Sequence, residues 1–298
     1  PCFLEVGVCV CLRRNILGED NLMKNLLTVL LLLSPLLIVG CGDSRVYEKD
    51  IQERNGKVYL PNSQEPFSGT VVAVYSLSAS LEKGQSLGQT KSETQYEDGI
   101  KHGEYVEFYE NGQIYLKGEF EDGKEDGEFI SYAENGELSS KKTYKNGIKH
   151  GPSVQYHSNG EIAFKGEYKN GKEDGLWVGY HENGKLAGKG NFKDGKGEGS
   201  QVEYYDNGQL KTKGISKNGR KDGPWVAYHD DGKLASKGTY RSGWKDGPWV
   251  EYWSGGQLKE KGTYNDDVRE GPWVLYSSNG SKRWYKSGTY KDGKKISD

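Results

Sequence analysis

Cysteine is missing from most of this chain, and apolar residues are few. All four cysteines lie within the first 41 of 298 residues, so residues 42–298 hold neither a disulfide framework nor a cysteine zinc site. Only 33% of the residues are hydrophobic, which argues against a large conventional core, whereas 12% aromatic residues argue against disorder. Lys and Arg (41) nearly balance Asp and Glu (43), so the composition gives no sign of nucleic-acid binding.

Glycine (43) and tyrosine (21) are abundant because one 24-residue motif recurs eight times. The motif is Tyr-x-x-Gly-x-x-x-Gly-x-Trp-Val-x-Tyr-x-x-Asn-Gly-x-Leu-x-x-Lys-Gly, and its first residue is numbered position one below. The copies begin at Tyr96, Phe120, Tyr144, Tyr168, Phe192, Ser216, Tyr240 and Tyr264, and a partial ninth begins at Tyr290. Position thirteen is Phe108 in the first copy and tyrosine in the other seven: Tyr132, Tyr156, Tyr180, Tyr204, Tyr228, Tyr252 and Tyr276.

Each repeat is predicted to be one β-hairpin. Asn-Gly between alternating runs favours a type I′ turn, which places a strand at Trp177–Tyr180, the turn at Asn183-Gly184 and a return strand at Leu186–Phe192. The segment Lys169–Gly175 is then a wider turn that links one hairpin to the next.

Such a hairpin needs its neighbours in order to fold. Four buried apolar side chains contribute about 6–12 kcal/mol, whereas ordering 24 residues costs roughly 1–2 kcal/mol for each residue. We therefore predict an all-β fold, an elongated single-layer antiparallel sheet of tandem hairpins. The position-thirteen tyrosines form its structural core, and the glycine at position 23 leaves room for a ring of a neighbouring strand.

The head of the chain resembles a bacterial lipoprotein signal. Met23 is the only methionine, so we interpret residues 1–22 as an extension upstream of the natural start. Residues 23–40 are a signal peptide with about 15 apolar residues, too short for a spanning helix. Ile38-Val39-Gly40-Cys41 resembles the lipobox, which implies lipidation of Cys41 and a membrane anchor in the bacterial cell envelope. Gly42 favours the outer membrane, and the alternative is an ordinary signal peptide with an incidental cysteine.

The remaining segments follow from the repeat boundaries. Residues 41–54 are a tether, 55–95 an irregular N-terminal cap, and 96–298 the eight repeats with the partial ninth. Over residues 55–295 the chain resembles the MORN repeat in its longer bacterial variant. The resemblance implies an elongated sheet that serves as a scaffold for protein contacts, and one bacterial branch carries an antitoxin label. Ser153, Gln201, Ser216 and Lys282 depart from the motif and thin its aromatic columns.

No catalytic, metal or cofactor site is predicted. The five histidines recur in repeat columns, whereas a catalytic base is normally surrounded by unlike partners. The acidic turns lack EF-hand spacing, so we interpret them as solvated turns, with calcium binding as the weaker alternative. No glycine-rich segment leads from a strand into a helix as a phosphate loop does.

An aromatic column is the candidate binding surface. It consists of four tryptophans at position ten, joined by two others, and exposed aromatic patches mark binding surfaces. An alternative is that these rings pack within the sheet over the position-23 glycines. The six are Trp177, Trp225, Trp249, Trp253, Trp273 and Trp284.

These features predict a non-enzymatic envelope lipoprotein that binds an unidentified protein partner, with an antitoxin or immunity role as one form of this function. The alternative is a module that binds cell-wall or surface glycan through the tryptophan and tyrosine rings. Nucleic acid is not among the expected partners.

Overall fold

The computed structural model describes residues 44–75 and 88–298, so Cys41 and the predicted signal peptide lie outside the described residues. Its secondary structure is one 3-10 turn, Glu48–Asp50, and 22 strands. The strands are β1 Arg45–Tyr47, β2 Gln52–Arg54, β3 Lys57–Tyr59, β4 Gly69–Val74, β5 Thr90–Glu97, β6 Ile100–Phe108, β7 Ile114–Glu121, β8 Lys124–Tyr132, β9 Leu138–Lys145, β10 Ile148–Tyr156, β11 Ile162–Lys169, β12 Lys172–Tyr180, β13 Leu186–Lys193, β14 Lys196–Tyr204, β15 Leu210–Lys217, β16 Arg220–Tyr228, β17 Leu234–Arg241, β18 Trp244–Tyr252, β19 Leu258–Asn265, β20 Val268–Leu275, β21 Gly288–Lys291 and β22 Lys294–Ser297.

Twenty of these strands form one open sheet. From β4 to β22 each strand pairs antiparallel with the next, and β1 pairs parallel with β4 at the edge. At about 4.8 Å per strand the sheet extends for roughly 90 Å. The predicted all-β sheet of tandem hairpins is confirmed.

The two turns of each repeat are the reverse of the sequence prediction. Asn170 and Gly171 have φ of 51° and 79° and join the paired residues Lys169 and Lys172, which is a two-residue type I′ turn. At the other connection Gly184 has φ 75° and Asn183 is not left-handed, so the turn is a three-residue loop. Asn-Gly occurs at both connections, and only the strand register distinguishes them.

The predicted wide linker is also wrong, because residues 172–175 belong to β12. Gly175 has φ 78° inside that strand, where the pairing with β11 jumps from Lys165–Val178 to Glu167–Asp174. The glycine at position eight therefore accommodates a β-bulge rather than a turn.

The sheet has two chemically different faces, since paired residues share a face. The ladder face carries positions one and ten, such as Tyr168 and Trp177. The lysine face carries positions eleven and 22, such as Val178 and its partner Lys165. Position thirteen joins the lysine face, because the Lys165 ammonium lies 5.8 Å from the centroid of the Tyr180 ring. The seven position-thirteen tyrosines are half-buried there.

The irregular cap contains one more repeat. Gly69 pairs with Tyr96 just as Gly103 pairs with Phe120, and the Tyr75 hydroxyl donates to the Phe108 carbonyl, so Tyr75 occupies position fourteen. More residues separate the paired Val74 and Thr90 than separate the corresponding strand ends of the other repeats, which hid this repeat from the sequence pattern.

The last full copy of the motif departs from the pattern. After Tyr276 the chain makes a turn at residues 283–287 in place of the first part of the return strand, which is shortened to β21. The Ser287 hydroxyl accepts a hydrogen bond from the Leu275 amide at 3.0 Å. This turn accommodates the two additional residues before Tyr290.

Candidate functional site

A ladder of aromatic rings runs across the ladder face. Rings at positions one and ten alternate edge to face, with centroids 4.7 Å apart for Tyr264–Trp273 and 5.4 Å apart for Tyr240–Trp249. Such contacts contribute about 0.5–1.5 kcal/mol each beyond the area that they bury. The sequence prediction did not include the rings at position one, which form half of this ladder. The remaining contacts are Tyr105–Phe120, Phe120–Phe129, Phe129–Tyr144, Tyr168–Trp177, Trp225–Tyr240 and Trp249–Tyr264.

The ladder depends on the glycines at position 23. A Cβ on Gly118 would lie 2.6 Å from the Phe129 ring, so the ring occupies the space of the missing side chain. The predicted packing of a ring over this glycine is confirmed. Where Lys142 replaces the glycine, Ser153 lies opposite and the ladder is interrupted. Over Gly190 the ring is replaced by Gln201.

The six tryptophans do not form one exposed stripe. Trp249 and Trp273 are 5% and 1% exposed, and Trp177 and Trp225 are half-buried over their glycines. Trp253 lies in a hairpin loop, and Trp284 is 73% exposed. The expected arrangement of the six rings as one exposed surface is therefore wrong, because four of them pack over glycines of the neighbouring strands.

Cations cover the ladder rings toward the C-terminus. The Lys245 ammonium lies 4.2 Å from the Trp249 ring centroid, and the Arg269 guanidinium lies 4.6 Å from that of Trp273. Glu251 binds Lys245 and Lys259 at 3.2 and 3.1 Å. Burial acts to raise the pKa of Glu251, but hydrogen bonds from Trp249 and Lys259 and the charge of Lys245 hold it below its usual value.

A hydrogen-bond ladder joins the three-residue loops at one edge of the sheet. The position-fourteen side chain of each of several repeats donates to the carbonyl of position thirteen in the next. The His157 imidazole bonds the Tyr180 carbonyl at 2.9 Å, and the Tyr109 hydroxyl bonds the Tyr132 carbonyl at the same distance. The same bond is made by His181, Tyr205, His229 and Trp253.

The asparagine of each loop adds a second link. The Asn183 side chain accepts from the Lys185 amide at 3.0 Å and donates to the Asp206 carbonyl at 2.8 Å. This double use explains why asparagine recurs at position sixteen without a positive φ.

The type I′ turns are linked at the opposite edge. The Gly147 amide donates to the Glu125 carbonyl of the preceding repeat at 2.8 Å, and the Asn146 amide donates to the Asp126 carboxylate at 3.0 Å. His150 takes the place of Asp126 one repeat later and lies 3.5 Å from the Asn170 amide. Four of the five histidines thus contact the backbone of the next repeat, and His102 lies near two carboxylates.

Metal and membrane features are scarce in the part of the chain that the structure describes. No group of three or more His, Cys, Asp or Glu side chains is arranged to hold a metal ion there. No helix among the same residues is long and apolar enough to cross a bilayer.

A single-layer sheet in which each hairpin uses its neighbours as its core defines a hairpin-repeat protein. The chain belongs to the MORN repeat variant family, whose profile matches seven consecutive segments that make up just over half of it. The segments are 101–122, 125–146, 149–170, 173–194, 197–218, 221–242 and 245–266.

Comparison with curated proteins gives no match. The TcdB2-TccC3-Cdc42 and TcdB2-TccC3 crystal structures contain similar segments, with 14% and 12% identity over 66% and 64% of this chain. The TM-score is 0.19 for each, and this chain spans 13% and 15% of theirs. These values support no inference about this protein.

Proposed function

We propose that this MORN repeat protein is a non-enzymatic scaffold that presents its sheet to a protein partner at a bacterial envelope membrane. The observation that carries the proposal is that the recurring polar and aromatic side chains make contacts between neighbouring repeats. Histidines, asparagines and aromatic rings in the repeat columns contact the neighbouring repeat, as His157 and Asn183 do. What such a sheet offers to other molecules is two broad faces, and repeat proteins use extended surfaces of this kind for binding.

The membrane anchor in this proposal is a lipid on Cys41. It is supported by the apolar run after Met23 and by Gly40-Cys41 at its end. Two or more acyl chains anchor stably, because each buried methylene contributes about 0.8 kcal/mol. An antitoxin or immunity role would be one form of the scaffold function, with a neutralised protein as the partner.

The anchor is tested with the full chain carrying Cys41→Ser. We expect loss of palmitate labelling and release from the membrane fraction, whereas Cys11→Ser leaves both unchanged. A Cys41→Ser chain that is still labelled and still membrane-bound contradicts the anchor.

The scaffold is tested separately by photo-crosslinking in cells. A photoreactive residue replaces Phe164 on the ladder face or Ile215 on the lysine face, each 43% exposed. We expect a discrete crosslinked protein from at least one face, which is absent without irradiation. If neither face yields a discrete partner, the scaffold proposal is wrong, whatever the result for Cys41.

A second candidate function is glycan binding at the C-terminal end. Trp284 and Tyr285 are 73% and 56% exposed, and their rings lie 6.0 Å apart beside a 440 Å³ hollow lined by Trp273, Lys282 and Asp298. Exposed aromatic rings can stack on sugar rings. Co-sedimentation with peptidoglycan that is unaffected by Trp284→Ala would remove this candidate.

A further inference from the structure

Two four-strand segments of the lysine face, called here its acidic half (β5–β8) and its basic half (β11–β14), carry opposite charges. On β5–β8 the exposed acids outnumber the bases. Glu119 pairs with Glu104 and Asp126, and the alternation of β7 places it on the same face as Lys117 and Val106. The exposed acids of this acidic half are Glu97, Glu104, Glu119, Glu121 and Glu128.

On β11–β14 the same face is basic. Three lysines of each repeat reach it, two flanking the type I′ turn and one at position 22, and Glu167 is the exposed acid among them. Asp174 and Glu198 are half-buried, and Glu198 accepts a hydrogen bond from the Asn218 amide. The exposed bases of this basic half are Lys165, Lys169, Lys172, Lys189, Lys193 and Lys196, and none forms an ion pair with a described residue.

Like charges lie directly opposite one another in both halves. Glu104 pairs with Glu119, Lys169 with Lys172, and Lys193 with Lys196. Such pairs destabilise an isolated sheet, and a covering surface of opposite charge would offset this cost. The chain itself carries both signs, in equal numbers of strands on either side of β9 and β10.

We propose that the lysine face is a self-association surface, on which two copies of the chain pack face to face around a twofold axis parallel to β9 and β10. The acidic half of each copy, β5–β8, then covers the basic half, β11–β14, of the other. Rotation about this axis keeps each residue at the same distance from the sheet edge that carries the type I′ turns. Glu97 and Glu121, which flank such turns, therefore meet the lysines that flank the type I′ turns of the second copy. The contact is isologous and closes at two copies.

The surface has the size and shape that such a dimer needs. Ten strands at about 4.8 Å and eight residues at about 3.3 Å give a footprint of roughly 1,300 Å² for each copy, above the ~800 Å² of a standard interface. The acidic half contains a 640 Å³ hollow lined by three acids, Glu104, Glu119 and Glu128, and by one base, Lys117, so acids predominate where lysine side chains of the second copy would enter. Leu176, 52% exposed on β12, adds apolar surface within the overlap.

The experiment is sedimentation of the full chain in non-ionic detergent, with two charge-reversed variants. One carries Glu104→Lys, Glu119→Lys and Glu121→Lys, and the other Lys169→Glu, Lys172→Glu and Lys193→Glu. We expect the wild type to be dimeric at low salt and to dissociate at about 500 mM salt, where the screening length falls below ~5 Å. Each variant alone is monomeric, and an equimolar mixture of the two forms a heterodimer, because both contacts are again complementary.

A matched control reverses three lysines of the same face outside the overlap, with Lys237→Glu, Lys261→Glu and Lys291→Glu. This variant remains dimeric, and circular dichroism of all variants shows the wild-type β spectrum. A wild type that is monomeric at about 50 μM, far above a micromolar Kd, overturns the proposal. It is likewise overturned by variants that remain dimeric alone, or by folded variants that do not pair when mixed.

Discussion

The indole of Trp273 lies over Gly262 of the preceding strand, in the space that a side chain on that glycine would occupy. Its Nε1 donates to the Thr263 carbonyl at 3.1 Å, and the ring is 1% exposed. This pairing of a ring with a glycine repeats along the sheet. It supplies the burial that a single layer lacks, so the glycine is as necessary as the ring.

Gly262→Ala should therefore destabilise the protein by about 1–3 kcal/mol, the range for overpacked sites. The added Cβ would collide with the Trp273 ring. Gly179→Ala is the matched control, because its nearest neighbour would lie 3.8 Å away. The urea midpoint of unfolding measures both, and equal midpoints would show that the ring does not need the glycine.

Removing the ring should cost more than adding a methyl group beneath it. Trp273→Ala is expected to lower the free energy of unfolding by about 3–5 kcal/mol, as truncation of buried aromatic side chains does. Trp284→Ala, at a 73% exposed site, should change it by less than about 0.5 kcal/mol. Denaturant unfolding followed by tryptophan fluorescence tests the pair, and similar losses would contradict the burial assigned to Trp273.

The histidines at position fourteen should be replaceable by tyrosine. His157→Phe loses the hydrogen bond to the Tyr180 carbonyl, and we expect a cost of about 0.5–1.5 kcal/mol. His157→Tyr should restore stability, because Tyr109 and Tyr205 make the same bond in other repeats. Thermal unfolding distinguishes the two variants. Failure of tyrosine to rescue would mean that the imidazole has another role.

The two Asn-Gly turns should respond differently to glycine. Asn170→Gly leaves a type I′ turn intact and should change stability by no more than about 0.5 kcal/mol. Asn183→Gly removes two hydrogen bonds and should cost about 1–2 kcal/mol. Chemical denaturation of both variants checks the turn assignment, and the opposite order would restore the turn types predicted from the sequence.

Glu251 should make stability depend on acid pH. Its folded-state pKa is lowered, so the unfolded chain binds its proton more readily. The stabilisation is complete above the unfolded pKa, about 4.3. It is lost as the pH falls through the folded pKa. Glu251→Gln should therefore be less stable than wild type at neutral pH and show a smaller loss below pH ~4. Parallel unfolding curves against pH for the two chains would exclude this role.

The sequence by itself determined the period, the all-β class, the repeat family and the match between ring and glycine. Each of these depends on which residue types recur every 24 positions, and such recurrence is visible without coordinates. The contact between the rings at positions one and ten is also implicit in the sequence, because both columns are aromatic in most repeats.

Only the tertiary structure decided which residues share a face. Each repeat contains a bulge and a second register shift, which in one repeat lie near Gly175 and Tyr180. Simple alternation of side chains along the strand therefore assigns residues beyond these shifts to the wrong face. The same shifts decide which Asn-Gly turn is type I′ and which rings are buried. They also decide where the charges lie, since a chain with a formal net charge of −2 places Glu119 on β7 and Lys193 on β13, in separate parts of one face.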